Sequence, residues 1–322
     1  MAFRIRIAAL VIGICFVLWS FSALLVLLTP PPVTPWHAQP LPLNGELIRV
    51  SDGAELFLRQ WLPENPPQKV VLGLHGLGQH SGYHHRFGAR LADAGIAYYA
   101  LDLRGNGLTR TPHGDIPSVD RLFDDLDELV LILRSRYPQA NVYVLGHSLG
   151  GAMAASWSAE RTTAIDGLII LAPAMTAGAA SVPWNNYLKG PAAWLFFPHQ
   201  AVLEIGADAY APERLAQTVN LAEEVDFIAN DPMHLQKMSM QFALAANRFR
   251  NETIDLAPQI QVPTLTLVGD ADPAQVGAEQ FYQALRTADK TYVRVPHATH
   301  LLFHIQEMPL VVQEVYTWLQ SH

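Results

Sequence analysis

Val142-Tyr143-Val144-Leu145-Gly146-His147-Ser148-Leu149-Gly150-Gly151 is the stretch that decides the fold. Its first four residues form a short apolar run with β-branched and aromatic content, the pattern of a buried strand. Residues 152–160 are rich in alanine and serine and read as a helix. Between them stands Gly-x-Ser-x-Gly, a turn sharp enough to lift the Ser148 hydroxyl above a sheet in a strained conformation. Gly146 and Gly150 carry no side chains, so neighbouring elements can close around that turn. Ser148 also falls at a helix N-terminus, where partial positive charge favours a developing oxyanion. The Leu149 amide is one donor to such an anion.

Outward from this turn, strand and helix patterns alternate. Residues 70–74, 96–101, 168–171, 264–268 and 291–295 are compact apolar runs, as expected of parallel strands covered by helices on both faces. Ahead of them, residues 46–50 and 55–62 read as two β-type runs joined at Ser51-Asp52-Gly53. Residues 120–137 predict a helix with Leu122, Leu126, Leu129, Val130 and Leu133 on one face. Its acids sit early and its arginines late, matched to the helix dipole and read as a solvated face. The alternation breaks over residues 174–258, an insertion between strands. Residues 174–203 hold one charge, Lys189, beside Trp184, Tyr187, Trp194, Phe196 and Phe197.

A serine nucleophile needs a base, and the base needs an orienting acid. Each is expected just beyond a later strand. The run 264–268 leads to Asp270 and Asp272, and the run 291–295 leads to His297 and His300. Both places offer two candidates.

The chain resembles the monoacylglycerol lipase and lysophospholipase branch of the α/β-hydrolases, grouped with the serine aminopeptidase-like hydrolases. The resemblance rests on His75-Gly76-Leu77-Gly78-Gln79-His80-Ser81-Gly82, Asp102-Leu103-Arg104-Gly105-Asn106-Gly107, residues 146–151, and the late aspartate and histidine. It covers most of residues 70–319. It implies an α/β-hydrolase fold, with a mostly parallel central sheet, helices on both faces and an inserted helical cap. It implies Asp272 as the acid, His300 as the base, and the Leu77 amide as the second oxyanion donor. His75 is implied to order the oxyanion loop. Gln79 and Asn106 depart from the family's usual Glu and His, which blurs the subfamily but leaves the nucleophile, base and acid in place.

The N-terminus adds a membrane expectation. After Arg4 and Arg6, residues 7–28 carry no charge. As a helix this run reaches about 33 Å, enough for the ~30 Å hydrocarbon core and longer than the apolar region of a cleaved signal. Residues 1–6 are expected in the cytoplasm, by the positive flank. Residues 29–45, with six prolines and no charge, read as a semi-rigid linker. The domain 46–322 is then extracytoplasmic, on a single-pass inner-membrane anchor; secretion after signal cleavage is the alternative.

Among 322 residues there is one cysteine, Cys15, so neither an internal disulfide nor a cysteine-type zinc cage is possible. A net charge of −8 without a basic block excludes an ordinary nucleic-acid partner. His80, His84 and His85 straddle a glycine loop and lack the His-Glu-x-x-His glutamate. No metal or other cofactor is expected. Charged residues make up 16% of the chain, against the usual ~25%, and the anchor contributes little to that deficit. The expectation is an anchored serine ester hydrolase for monoacylglycerol- or lysophospholipid-type substrates. Trp184, Trp194, Phe196 and Phe197 are candidate substrate-binding residues, and the cap is a candidate membrane contact. An aminopeptidase using cap acids such as Glu204 or Glu224, an acyltransferase, and a silent binding protein are the alternatives.

Overall fold

The computed structural model describes residues 17–29, 44–161, 164–175, 184–206 and 211–322. Residues 17–27 form a first helix, α1. The rest of the apolar run expected to cross a membrane, residues 7–16, lies outside the described residues. So do Cys15, most of the linker, and parts of the cap. Among the described residues no helix is long and apolar enough to cross a membrane.

Strands β1 (Gly45–Arg49) and β2 (Glu55–Trp61) form an antiparallel hairpin. Its turn needs Gly53, whose φ of +89° is strained for any residue with a Cβ. Beyond it come β3 (Lys69–Leu74), β4 (Ala97–Leu101), β5 (Asn141–His147) and β6 (Gly167–Leu171). The last two strands of this sheet are β9 (Thr264–Gly269) and β10 (Lys290–Val295). The sheet has eight strands in the order β1-β2-β4-β3-β5-β6-β9-β10. All pairs from β4 to β10 are parallel, and β2 pairs antiparallel with both its neighbours. Strands β3 to β6 are buried on both faces, which is why their sequences show no alternation.

On one side lie α3 (Val119–Arg136), α4 (Leu149–Glu160) and α9 (Gln275–Ala284). The other face carries α2 (His85–Asp93) and α10 (Met308–Ser321), which bury Phe87, Leu91, Val315 and Trp318. The predicted stripe of α3 is buried, and Ser118 caps the helix by accepting from the Arg121 amide at 3.1 Å. Its acids are not merely a solvated face. Asp125 is 2% exposed and receives both the Nε and an NH2 of buried Arg104. Asp127 accepts from the Trp157 indole at 2.9 Å, and Glu128 from the Ser51 amide at 2.7 Å. These carboxylates fasten α3 to two loops and to α4. They carry no sequence signal because their partners are distant in the chain.

The insertion after β6 comprises α5 (Trp184–Phe196), β7 (Leu203–Glu204), α6 (Pro212–Leu215), α7 (Ala222–Ala229), β8 (Lys237–Met238) and α8 (Met240–Leu256). β7 and β8 pair with each other. The small residues of α4 let α8 pack close, and Ser156 hydrogen-bonds Thr253 across the contact at 2.7 Å. α1 packs against α5: Val26 is fully buried among Ala192, Ala193, Val202 and Leu203.

Candidate active site

Ser148 links β5 to α4 with φ +54° and ψ −118°, the strained turn expected of this motif. Glycines are required around it. A Cβ on Gly146 would lie 2.3 Å from the Gly150 carbonyl oxygen, and one on Gly150 would lie 2.5 Å from the carbonyl oxygens of Leu74 and His75. The elbow therefore presses directly on the loop that follows β3.

Parallel strands end at one edge of the sheet, so the loops after β5, β9 and β10 meet there. His300 Nε2 lies 2.9 Å from Ser148 Oγ. His300 Nδ1 faces the Asp272 carboxylate at 2.9 and 3.1 Å. Asp272 is 1% exposed and also accepts from the Ala274 amide at 2.8 Å. With Nδ1–H donating to Asp272, Nε2 is left to accept the serine proton. Of the competing pair, Asp270 accepts from the His297 amide at 2.7 Å, and both residues are exposed. They form a turn in which His297 adopts φ +61°. Two residues of spacing separate the aspartates in sequence; only the loop geometry distinguishes them.

His147, the variable residue of the elbow, has a definite task. Its Nε2–H donates to the His300 carbonyl at 2.8 Å, holding the backbone of that loop. Burial pushes its ring down to about 3, so it stays neutral. His75 orders the loop after β3. Its Nδ1–H donates to the Gly76 carbonyl at 2.8 Å and its Nε2 accepts from the Leu103 amide at 3.1 Å. Burial pushes that ring down to about 4. Gln79 Oε1 accepts from the Gly76 amide at 3.0 Å, a bond that needs only an oxygen acceptor. Asn106 donates to the Arg104 carbonyl at 2.9 Å, away from the serine.

A cavity of about 470 Å³ opens over Ser148 and includes Leu77 and Leu149 in its wall. The Leu149 amide is the first of α4 and has no intrahelical acceptor, as helix geometry dictates. Most of the wall is apolar and comes from the insertion: Leu203, Ile205, Met238, Met240, Ala243 and Ala246. Asn186, Glu204, Asn247 and Arg250 add polar groups to the lining. Sequence reasoning missed this wall. The spacing of Met240, Ala243, Asn247 and Arg250, one face of a helix, was the available signal.

The aromatic candidates stand elsewhere. Trp194 and Phe196 are more than half exposed and do not line the cavity. Phe196 meets the Trp19 ring of α1 at 5.8 Å, and Phe197 packs against the cluster around Val26. Among the described residues of α5, Asn186 and Gly190 line the cavity. The side chain of Trp184 lies outside the described residues.

The three loop histidines have separate partners. His80 pairs with Asp231 at 2.9 Å, His84 with the Tyr98 hydroxyl at 2.6 Å, and His85 Nδ1 with the Gly82 carbonyl at 3.1 Å. His80 also accepts from the Gly82 amide at 3.0 Å and so orders the loop. Among the described residues no group of three metal-ligating side chains is placed to hold an ion. Glu224 faces inward, bonded to His304 at 2.6 Å and 3.5 Å from His85. Burial pushes its carboxyl up, but the bonds from His304 and His85 outweigh this and hold it at about 2.

The chain is similar to several known proteins. The model of the family described as serine aminopeptidase, S33, matches residues 65–307. The monoglyceride lipase of Rattus norvegicus is 26% identical over 279 residues, covering 84% of this chain and 88% of that protein. The monoacylglycerol lipase of Mycolicibacterium smegmatis is 26% identical over 275 residues, covering 84% and 94%. Among solved structures, a soluble variant of Saccharomyces cerevisiae monoglyceride lipase, in complex with a substrate analog, superposes with TM-score 0.69 at 21% identity. That match covers 91% of this chain and 99% of the other. The monoacylglycerol lipase of Paleococcus ferrophilus gives TM-score 0.67 at 24% identity, covering 83% and 99%. These two likenesses are likenesses of fold.

Proposed function

The chain belongs to the serine aminopeptidase S33 family and is a serine hydrolase, and from that premise we propose that it cleaves carboxylic esters of lipid-like substrates. Ser148, His300 and Asp272 are the proposed catalytic residues. His300 Nε2 takes the Ser148 proton as Oγ bonds to the ester carbonyl carbon. The amides of Leu77 and Leu149 hold the oxyanion, each such donor contributing about 3 kcal/mol to the barrier reduction. The C–O bond then breaks, the alcohol leaves with the proton from His300, and water repeats the sequence on the acyl-enzyme. Asp272 keeps the imidazole in the required tautomer throughout.

The observation that carries the substrate class is the cavity wall: apolar side chains surround Ser148 on the insertion side. An acyl chain suits such a lining. The aminopeptidase alternative needs a carboxylate for a free amine. Glu204 reaches the cavity but already faces Lys189 at 3.4 Å, and Glu224 is committed to His304. Monoacylglycerols and lysophospholipids are the proposed substrates.

A panel of monoacylglycerols, lysophospholipids and aminoacyl amides, with fluorophosphonate labelling of Ser148, tests this reading. Hydrolysis of the acyl esters, abolished by Ser148→Ala, is expected. Preferential cleavage of aminoacyl amides would overturn the substrate class, and absent labelling in folded protein would overturn the mechanism.

A further inference from the structure

Helix α5 contains Gly190 and Pro191 side by side in its interior. These are the two residues least compatible with a helix interior. Pro191 has no N–H to offer the Tyr187 carbonyl, and its ring crowds that carbonyl. The weak point matters because α5 lines the cavity through Asn186 and Gly190. Asn186 is fixed to β7 by a reciprocal pair of bonds with the Glu204 backbone, at 2.9 and 2.8 Å. The segment beyond Pro191 is held differently.

α1 bridges both halves of α5. Ser22 Oγ donates to the Leu188 carbonyl at 2.5 Å, before the Gly-Pro step. Val26, one turn later on the same face of α1, is fully buried against Ala192 and Ala193, after it. The Gln200 side-chain Nε2 donates to the Val26 carbonyl at 3.5 Å, and Trp19 meets Phe196 edge-on at the far end of α5. α1 thus lies along α5 as a splint across its interruption. It lies before residue 65, where the family match begins.

We propose that α1 is a specificity element: it holds α5 straight over the cavity, and Ser22 and Val26 are positioning residues for long acyl chains. This rests on the reading of the cavity as the acyl site. A short ester needs only Ser148 and the oxyanion loop. A long chain must also fill the space beneath Gly190, so its binding registers any shift of α5.

The test compares p-nitrophenyl acetate with p-nitrophenyl decanoate on the full chain in detergent. Val26→Asp is expected to raise KM for the decanoate about tenfold while changing kcat/KM for the acetate less than about twofold. Ser22→Ala, which removes one hydrogen bond, shifts the decanoate KM in the same direction by less, and Val26→Ile restores it. Fluorophosphonate labelling at the wild-type rate verifies that the catalytic body is folded. Equal effects on both esters, or no effect on either, would overturn the proposal. A wild-type enzyme that does not prefer decanoate to acetate would instead overturn the acyl-site reading, and the proposal with it.

Discussion

Acidification from pH 8 to pH 5 should cost this fold a large share of its stability, through histidines buried in their neutral form. His75 and His147 are each 1% exposed. Burial pushes them down to about 4 and about 3, from 6.5 for an exposed imidazole. As pH falls through 6.5 the unfolded chain takes up protons at both rings, and the folded chain does not until pH 4 and 3. The unfolded state binds more protons in that window, so stability is complete above pH 6.5 and drains as pH falls below it. Two protons correspond to a slope of about 2.7 kcal/mol per pH unit. At pH 5 each ring accounts for roughly 2 kcal/mol, together a large part of the 5–15 kcal/mol typical of a folded domain. Burial lowers His84 and His304 as well, in the same direction. Glu224 behaves oppositely in range: its depressed carboxyl contributes stability above pH 4.5 that is lost only as pH falls toward 2. It therefore leaves the upper window unchanged. Urea unfolding followed by tryptophan fluorescence at pH 8, 6.5, 5.5 and 5 measures the effect directly. A free energy of unfolding that stays flat between pH 8 and pH 5, with unchanged m, would refute the reasoning, because the rings would then bind protons equally in both states.

Asp272→Asn should lower kcat on short esters by about 10⁴, as the imidazole loses the acceptor that sets its tautomer. Asp270→Asn should stay near wild type, because an amide oxygen can still accept from the His297 amide. Equal losses in the two variants would show that the acid is misassigned. Gly150→Ala forces a methyl to 2.5 Å from the Leu74 and His75 carbonyl oxygens, where β3 runs into its loop. It is expected to cost at least about 10² in kcat, the scale of losing one oxyanion donor, measured alongside a melting curve to separate misalignment from unfolding. Asp125→Ala leaves the Arg104 guanidinium buried without its main partner and should destabilise by about 3 kcal/mol. Thermal or urea unfolding checks this, and kcat on a short ester should change little.

Local patterns were legible wherever the cause was local. The elbow at residues 142–151 could be read because strand, glycine turn and small-residue helix are contiguous, and each residue type answers to a nearby steric demand. Buried parallel strands were legible because both faces are covered, leaving uninterrupted apolar runs. The α3 stripe was legible because one helix face is buried and its apolar residues recur at helical spacing, yet the partners of Asp125, Asp127 and Glu128 were not, because Arg104, Trp157 and Ser51 lie in other elements.

The sequence by itself determined that a nucleophile elbow exists and that an aspartate and a histidine follow two later strands. It left two choices at each place, since residues two or three apart share the same composition and the same loop. Tertiary structure separates them: parallel strands deliver their ends to one edge, and there His300 reaches both Ser148 and Asp272, while His297, in the same loop, stays exposed with its amide bonded to Asp270. The cavity wall was decided there too. Aromatic richness in α5 marked the right segment, but Trp194, Phe196 and Phe197 do not line the cavity, because a helix meets its neighbours through the face that packing selects. That face here is Asn186 and Gly190, with Met238 and Met240 opposite. The apolar N-terminal run was plain in the sequence as a hydrophobic helix. That its second half lies against the cap, with Val26 buried at a Gly-Pro interruption, depends on a contact across more than 160 residues, which composition and periodicity do not encode.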